Sequence, residues 1–263
     1  MAPANPSTLK LRIISALILA PLALGAVWAR GIAIMLLVLA AVLGMGWEWA
    51  RLCGRGRLGR TGAAIIATLL AAAGALALGA GAGWAIGLAG SLGVAIIAGA
   101  TREADPIWAG AGTLWIAAGS LAFLWVAFAA GRILTIWLLA VVWASDIAAY
   151  AVGRTVGGPR LAPRISPNKS WAGFVGGIAG PALVGAASAP LLHGSPGFFA
   201  ALAAALGFAA QLGDLAESLA KRHFGVKDSS GLIPGHGGLL DRLDGLLAAA
   251  LAFMAAAAVL PYF

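Results

Sequence analysis

The acidic side chains of this sequence are few and unevenly placed, and they are the residues best suited to chemistry. Nine of the 263 residues are Asp or Glu, and five of these nine fall between positions 214 and 244. Some of them, such as Asp214 and Glu217, lie inside long apolar runs, where an ionisable group costs about 2.5–3.5 kcal/mol and usually faces a partner or a wet cavity. The cluster therefore predicts a functional site. We read Glu48, Glu103 and Asp105, which lie near the ends of apolar runs, as ordinary interfacial charges.

Helical spacing places the polar side chains on three shared faces. One predicted helix presents four of them at relative positions 0, 3, 4 and 7: Asp214, Glu217, Ser218 and Lys221. Two other predicted helices contribute pairs: Asp241 with Asp244, and Asp146 with Tyr150. Because Mg²⁺ binds through one or two carboxylates together with substrate phosphates, these faces favour a divalent-cation site. Ordinary ion pairs, such as Asp214 with Lys221, are the alternative explanation.

Two basic loops adjoin these helices and could bind anions. Residues 221–238 combine cations and hydroxyls with glycines that leave backbone N–H groups free to face an anion. That loop enters a helix whose N-terminus carries partial positive charge, a place that suits phosphate. The second loop, residues 154–169, is explained equally well by membrane topology alone.

The elements that must position these residues are transmembrane helices. The chain is 62% hydrophobic and 10% charged, with a mean hydropathy of +0.97, whereas a soluble domain has roughly 25% charged residues. Apolar runs near the roughly 20 residues that span a bilayer recur along its length. We predict an all-α, polytopic membrane protein with about nine spans, forming one domain over residues 1–263 with its motifs after about residue 140. The predicted spans are 11–29, 32–50, 62–79, 84–100, 108–128, 133–152, 171–192, 197–219 and 238–258.

The distribution of basic residues orients these spans. Alternating the loops places 15 of the 17 Lys and Arg residues on one side and leaves only Arg30 and Arg132 on the other. The positive-inside rule then predicts a cytoplasmic N-terminus. The net charge of +8 does not indicate nucleic-acid binding, since the basic residues are spread over short loops. Glycines at i, i+4 in the seventh span, Gly173/Gly177 and Gly176/Gly180, predict close helix packing.

The C-terminal motifs resemble those of the phosphatidate cytidylyltransferase family. The main match covers 27 residues. It reads Ser218-x-x-Lys221-Arg222, then Lys227-Asp228, then Pro234-Gly235-His236-Gly237-Gly238-x-x-Asp241-Arg242-x-Asp244. Upstream, the resemblance continues in Asp146-x-x-Ala149-Tyr150-x-x-Gly153-Arg154 and Ser166-Pro167-Asn168-Lys169. Small departures from the family pattern occur at Ala220, Ser170 and Ala172, and none of them touches the main signature.

This resemblance implies a fold and a reaction. The expected fold is a homodimer of helical membrane proteins in the inner membrane, with a polar cavity open to the cytoplasm and the bilayer. In the expected reaction, the phosphate of phosphatidic acid displaces pyrophosphate from the α-phosphorus of CTP. The expected cofactor is Mg²⁺, with a second metal ion or a monovalent cation left open.

The resemblance also implies roles for individual residues. The candidate metal ligands are Asp214 and Asp241, supported by Asp244 or Glu217. The candidate catalytic residues, mainly phosphate-binding cations, are Lys221, Arg222, Lys227, Asp228, His236 and Arg242. The candidate substrate-binding residues are Asp146, Tyr150, Ser166, Lys169, Ser218, Gly237 and Gly238. For His236 and the two glycines, either contact with phosphate or shaping of the turn is expected.

Three other functions fit parts of the sequence. Intramembrane carboxylates also suit a cation-coupled transporter, although such carriers usually concentrate their site near the bilayer midplane. A CTP-dependent transferase that acts on another lipid phosphate would share the same chemistry. A CDP-alcohol phosphotransferase fits less well, because the spaced acidic motif of that family is absent.

Overall fold

The computed structural model describes residues 6–75 and 80–260, and helices dominate both ranges. Nine helices, α1 to α9 in chain order, occur in these ranges. They are Pro6–Ala29, Gly31–Cys53, Arg60–Ala75, Ala80–Thr101, Pro106–Trp125, Arg132–Thr155, Trp171–Ser188, Pro196–His223 and Leu240–Val259. A π-helical turn, Val126–Ala130, extends α5 towards α6. The prediction of an all-α protein is confirmed, and each predicted span corresponds to one helix.

Seven of these helices are long and apolar enough to cross a membrane: α2 and α4 to α9. The apolar stretch Leu17–Ala29 of α1 and the 16-residue α3 are shorter. The third predicted span also includes residues 76–79, which lie outside the described ranges. A multi-helix membrane-embedded protein is therefore supported, and crossing by α1 and α3 stays a prediction.

Two short strands interrupt the segment that the sequence indicated only as a basic loop. Strand β1, Arg160–Ala162, pairs antiparallel with β2, Ser166–Ser170. The side chain of Ser170 then caps α7 by accepting a hydrogen bond from the N–H of Gly173. This hairpin fixes the position of Lys169, which lies at the end of β2.

Helices α6, α7 and α8 pack closely because small residues line their contacts. A Cβ added at Gly176 would lie 2.7 Å from the Cβ of Val152, and one at Gly180 would lie 2.5 Å from the Cβ of Ala148. Buried hydrogen bonds join the same three helices, because Gln211 donates to Ser145 and Ser145 donates to the carbonyl of Gly177. The predicted close packing through these glycines is confirmed.

Helices α8 and α9 also approach closely, at the level where both carry acidic residues. A Cβ added at Gly213 would lie 2.6 Å from the carbonyl oxygen of Asp244. Helix α9 is held from its other side by α5, where Gly119 lies against Leu247. The close backbone approach brings the carboxylates of α8 and α9 together.

The two arginines assigned to the far side of the membrane make contacts at the end of the bundle. Arg30 donates to the carbonyl oxygens of Ala127 and Phe128 in the π-helical turn, at 3.4 and 3.2 Å. Arg132 lies over the ring of Trp28, 4.5 Å from its centroid. These contacts tie the α1–α2 connection to the π-helical turn that precedes α6.

Candidate active site

A cavity of about 600 Å³ lies between α1, α2, α5, α6 and α9. Most of its wall is apolar and includes Leu22, Val38, Phe123, Val142 and Leu246. One part of its lining is charged and polar, and comprises Asp146, Asp214, His236, Asp241, Arg242 and Asp244. We call these six residues, together with the partners Lys169, Glu217 and Lys221 described below, the polar end of the cavity.

Lys221 forms ion pairs with two carboxylates at the polar end. Its ammonium group forms an ion pair with Glu217 one turn earlier on α8, and another with Asp241 of α9 at 2.6 Å. All three side chains are largely buried, with exposed fractions of 13% for Lys221, 3% for Glu217 and 5% for Asp241. An ammonium has three donors, so one N–H of Lys221 remains for a further acceptor.

Asp241 organises the loop before α9. One of its oxygens accepts from Lys221, and the other accepts from the backbone N–H groups of Gly238, at 2.8 Å, and Ser229, at 3.1 Å. The hydroxyl of Ser229 also lies 3.1 Å from this second oxygen. Both oxygens thus have donors from the protein itself. The role of Asp241 as a metal ligand stays a prediction.

A second ion pair joins the hairpin to α8. Lys169 of β2 lies 2.6 Å from the carboxylate of Asp214, and the hydroxyl of Ser218 donates to the other oxygen of Asp214 at 3.3 Å. The ion pair is partly exposed, with 20% of Lys169 and 36% of Asp214 accessible. The predicted stripe on α8 is therefore real, since Asp214, Glu217, Ser218 and Lys221 all point into one charged region.

Three carboxylates from three helices line the polar end of the cavity. Asp146 of α6, Asp214 of α8 and Asp244 of α9 lie close enough to interact electrostatically. Together with Glu217 and Asp241 they make five carboxyl groups. These meet three cationic side chains: Lys169, Lys221 and Arg242. If all are ionised, the polar end carries an excess of two negative charges.

This charge excess fits a divalent cation. Within the described ranges, no three Asp, Glu, His or Cys side chains form a preassembled metal cluster. Mg²⁺ does not require one, because it commonly binds through one or two carboxylates and fills its remaining positions with water and phosphate oxygens. Three carboxylates at the polar end are not contacted by Lys221 and could act as metal ligands: Asp214, Asp244 and Asp146.

The loop between α8 and α9 turns sharply at its glycines. Ile233 and Gly237 pair across the turn, and Gly237 has a φ of +86°, which favours glycine. A Cβ at Gly238 would lie 2.7 Å from an oxygen of Glu48 and 3.1 Å from an oxygen of Asp241. Of the two roles expected for these glycines, shaping of the turn is visible in the structure, and contact with substrate stays a prediction.

Other predicted site residues lie outside the cavity lining. Tyr150 is 68% exposed and accepts a hydrogen bond from Arg154. Arg222 donates to the carbonyl oxygens of Ile165 and Val226, so it ties the end of α8 to the hairpin. The remaining three lie on the hairpin or at the start of the α8–α9 loop: Ser166, Lys227 and Asp228. Their substrate or catalytic roles stay predictions.

His236 and Arg242 are brought together at the cavity. Arg242 donates to the carbonyl oxygen of His236 through two nitrogens, at 3.0 and 2.7 Å. This contact folds the turn back onto the first turn of α9, so that both side chains line the cavity.

Glu48 is the residue that the sequence interpretation missed. Read as an interfacial charge, it is instead fully buried, with 0% exposure, and its carboxylate contacts the loop before α9. The other two acids of that group have helix-capping roles, because Asp105 caps α5 and Glu103 accepts from the N–H of Thr61 at the start of α3. A carboxylate placed within an apolar run, one turn before its end, was the available signal for Glu48.

These features define a class of protein: a helical membrane protein with a charged site at one end of an apolar cavity. The site offers cations for phosphate groups and a carboxylate excess for a metal ion. Its residues come mainly from α6, the hairpin, α8 and α9, the elements that carry the motifs.

Comparison with known proteins identifies the family. The model of the cytidylyltransferase family matches residues 10–260. A phosphatidate cytidylyltransferase of Brucella suis is 41% identical over 248 residues, which cover 93% of this chain and 91% of the relative. One from Pseudomonas aeruginosa is 40% identical over 265 aligned residues, covering 94% of this chain and 96% of the relative. The chain belongs to the cytidylyltransferase family, as its motifs indicated.

The contribution of the Lys221 ion pairs to stability can be measured by removing the ammonium group. We expect Lys221→Met to lower the free energy of unfolding by about 3–5 kcal/mol, because two buried carboxylates lose their cation. The double variant Lys221→Met/Glu217→Gln should regain much of this stability while remaining inactive. Thermal unfolding in detergent measures the first effect, with exposed Arg57→Met as the control. A Lys221→Met protein as stable as the control would contradict the pairing.

Proposed function

We propose that this chain is a phosphatidate cytidylyltransferase, which converts CTP and phosphatidate into CDP-diacylglycerol and pyrophosphate. Family membership supports the chemistry, since relatives that align over more than nine-tenths of this chain carry that name. The structural observation that carries the proposal is a cavity that combines an apolar wall with a charged end.

The shape of this cavity matches the chemistry of a phospholipid. Phosphatidate has an anionic phosphate and two acyl chains, and an apolar wall of α1, α2, α5, α6 and α9 side chains suits those chains. The lipid phosphate would then lie among the charged residues, beside Arg242 and His236. A carrier for a small cation would have no use for so large an apolar compartment.

The reaction joins the lipid phosphate to the cytidylyl group. An oxygen of the phosphatidate phosphate attacks the α-phosphorus of CTP, the bond to the bridging oxygen breaks, and pyrophosphate leaves. Both reactants are anionic, so cations must offset their repulsion. Lys221 retains an N–H for a phosphate oxygen, while Lys169 and Arg242 add positive charge on either side of the carboxylates.

A strong general base is unnecessary in this reaction. A phosphomonoester has a second pKa of about 6 and is largely ionised near neutral pH. We therefore assign His236 to positioning or binding of phosphate, which agrees with its place beside Arg242 in the cavity lining.

We further propose that Asp214 and Asp244, with Asp146, hold Mg²⁺. All three line the cavity, and within the described ranges Asp146 and Asp244 form no ion pair, whereas Glu217 and Asp241, the other expected ligands, are paired with Lys221. Asp214 would exchange its pairing with Lys169 for the metal ion. The bound ion would neutralise phosphate oxygens and polarise the reacting phosphoryl group. A second metal ion or a monovalent cation is compatible with the same charge excess.

The orientation in the membrane is also a proposal. The positive-inside rule places the α8–α9 loop and the hairpin in the cytoplasm, where CTP is available. Location in the inner membrane is proposed from the family resemblance. Homodimer formation follows from the family resemblance alone and is tested by the mass of the purified protein–detergent complex.

The reaction is tested directly with purified protein in detergent. We expect pyrophosphate release and CDP-diacylglycerol formation only when CTP, phosphatidate and Mg²⁺ are all present. Each is omitted in turn, and a polyprenyl phosphate replaces phosphatidate in a parallel assay. The folded Lys221→Met/Glu217→Gln variant is the inactive control. No product from phosphatidate, but product from the polyprenyl phosphate, would move the chain to another substrate.

Topology is tested with introduced cysteines, because the native Cys53 is buried and reacts poorly. In a Cys53→Ala background, Leu58→Cys probes the exposed α2–α3 connection and Gly197→Cys probes open space at the start of α8. We expect an impermeant thiol reagent to label position 197 in intact cells, and position 58 only after permeabilisation. The reverse pattern would overturn the orientation.

A further inference from the structure

Glu48 joins the N-terminal half of the chain to the loop that carries the family motif. Its carboxylate accepts four hydrogen bonds, all from residues between 229 and 240. The donors are the hydroxyls of Ser229 and Ser230 and the backbone N–H groups of Leu239 and Leu240. The two N–H groups lie 2.8 and 2.7 Å from its oxygens.

The carboxylate of Glu48 accepts hydrogen bonds at the N-terminus of α9, where a phosphate could otherwise bind. The first residue before α9 provides no side-chain cap, and Glu48 supplies the missing acceptor from α2. The positive end of the α9 dipole offsets its charge. Within the described ranges no Lys or Arg forms an ion pair with it. The helix N-terminus that the sequence favoured as a phosphate site is therefore already occupied by Glu48.

Ser229 links Glu48 to Asp241. Its hydroxyl lies 3.2 Å from an oxygen of Glu48 and 3.1 Å from an oxygen of Asp241. The carboxylates of Glu48, on α2, and Asp241, on α9, thus both contact the same loop residue. Helix α2 is a firm anchor, because Val42, Met45 and Trp49 around Glu48 are nearly fully buried.

We infer that Glu48 is a positioning residue for the transferase site. It holds residues 229–240 so that Asp241 keeps its pairing with Lys221 and His236 and Arg242 remain at the cavity. Glu48 does not line the cavity itself and acts only through this loop. The expected effect of Glu48 on turnover rests on the proposed function, whereas its expected effect on the loop rests on the geometry alone.

Glu103 provides a matched control. Like Glu48, it is a glutamate that accepts from a backbone N–H at the start of a distant helix, with 2.9 Å between its oxygen and the nitrogen of Thr61. Unlike Glu48, it has no contact with residues 229–240 and lies away from the cavity lining. Glu103→Gln therefore reproduces the loss of a helix cap without disturbing the site.

The kinetic test compares Glu48→Gln with Glu103→Gln. We expect Glu48→Gln to lower kcat about 10–100-fold, the usual effect of removing a supporting contact, and Glu103→Gln to leave kcat unchanged. Glu48→Gln should also lose more thermal stability than Glu103→Gln, because Glu48 is fully buried and accepts four hydrogen bonds, whereas Glu103 is exposed. Ser230→Ala removes only one of the four donors and should give a smaller decrease in kcat. Equal kcat values for Glu48→Gln and Glu103→Gln would reduce Glu48 to a helix cap.

A second measurement needs no substrate and therefore separates this inference from the proposed function. Ile233 is 8% exposed within the loop, so Ile233→Cys in a Cys53→Ala background reports loop opening through its rate of thiol labelling. We expect the rate to rise when Glu48→Gln is added and to stay constant when Glu103→Gln is added. If Glu48→Gln does not fold, Ser230→Ala replaces it, and an unchanged labelling rate with Ser230→Ala overturns the inference.

Discussion

Charge balance in a region of low dielectric constant constrains every other feature of this site. Charges that leave water are costly unless they are paired and hydrogen-bonded. At the polar end, the single positive charge of Lys221 is shared between Glu217 and Asp241, and Lys169 pairs with Asp214. With Asp146 and Asp244 also ionised, the five carboxylates exceed Lys169, Lys221 and Arg242 by two negative charges, which an arriving cation can offset. The ion pairs thus lower the cost of burying these charges, and the ionised excess favours binding of a cation.

The helices supply the geometry that this balance requires. Small residues let α6, α7 and α8 pack at short distances, so that acidic groups from separate helices converge. Close approach of Gly213 to the backbone of Asp244 sets the spacing between α8 and α9. Helix α2, in the N-terminal half of the chain, contributes Glu48. The carboxylate of Glu48 holds the start of α9 by accepting hydrogen bonds from the backbone N–H groups of Leu239 and Leu240. Helix packing thus sets the positions of the charged groups on which the chemistry depends.

Much of this arrangement was predictable from sequence, because apolar runs and helical spacing are local features of the chain. Apolar runs gave the helices, and the i, i+3, i+4 spacing gave the shared face of Asp214, Glu217 and Lys221. Long-range partners were not predictable: neither the pairing of Lys221 with Asp241 nor that of Glu48 with Leu240 follows from spacing, since such contacts depend on how the helices pack. The hairpin was missed because its strands are only three and five residues long.

We propose that the carboxylate excess makes binding of an anionic nucleotide depend on a cation. Equilibrium binding of CTP to the purified protein, with Mg²⁺ and after chelation, measures this dependence. We expect the wild-type chain to bind CTP well only with Mg²⁺, and the Asp214→Asn/Asp244→Asn variant, which removes two negative charges, to lose most of this dependence. Equal CTP affinity of the wild-type chain with and without Mg²⁺ would show that the carboxylate excess does not impose it.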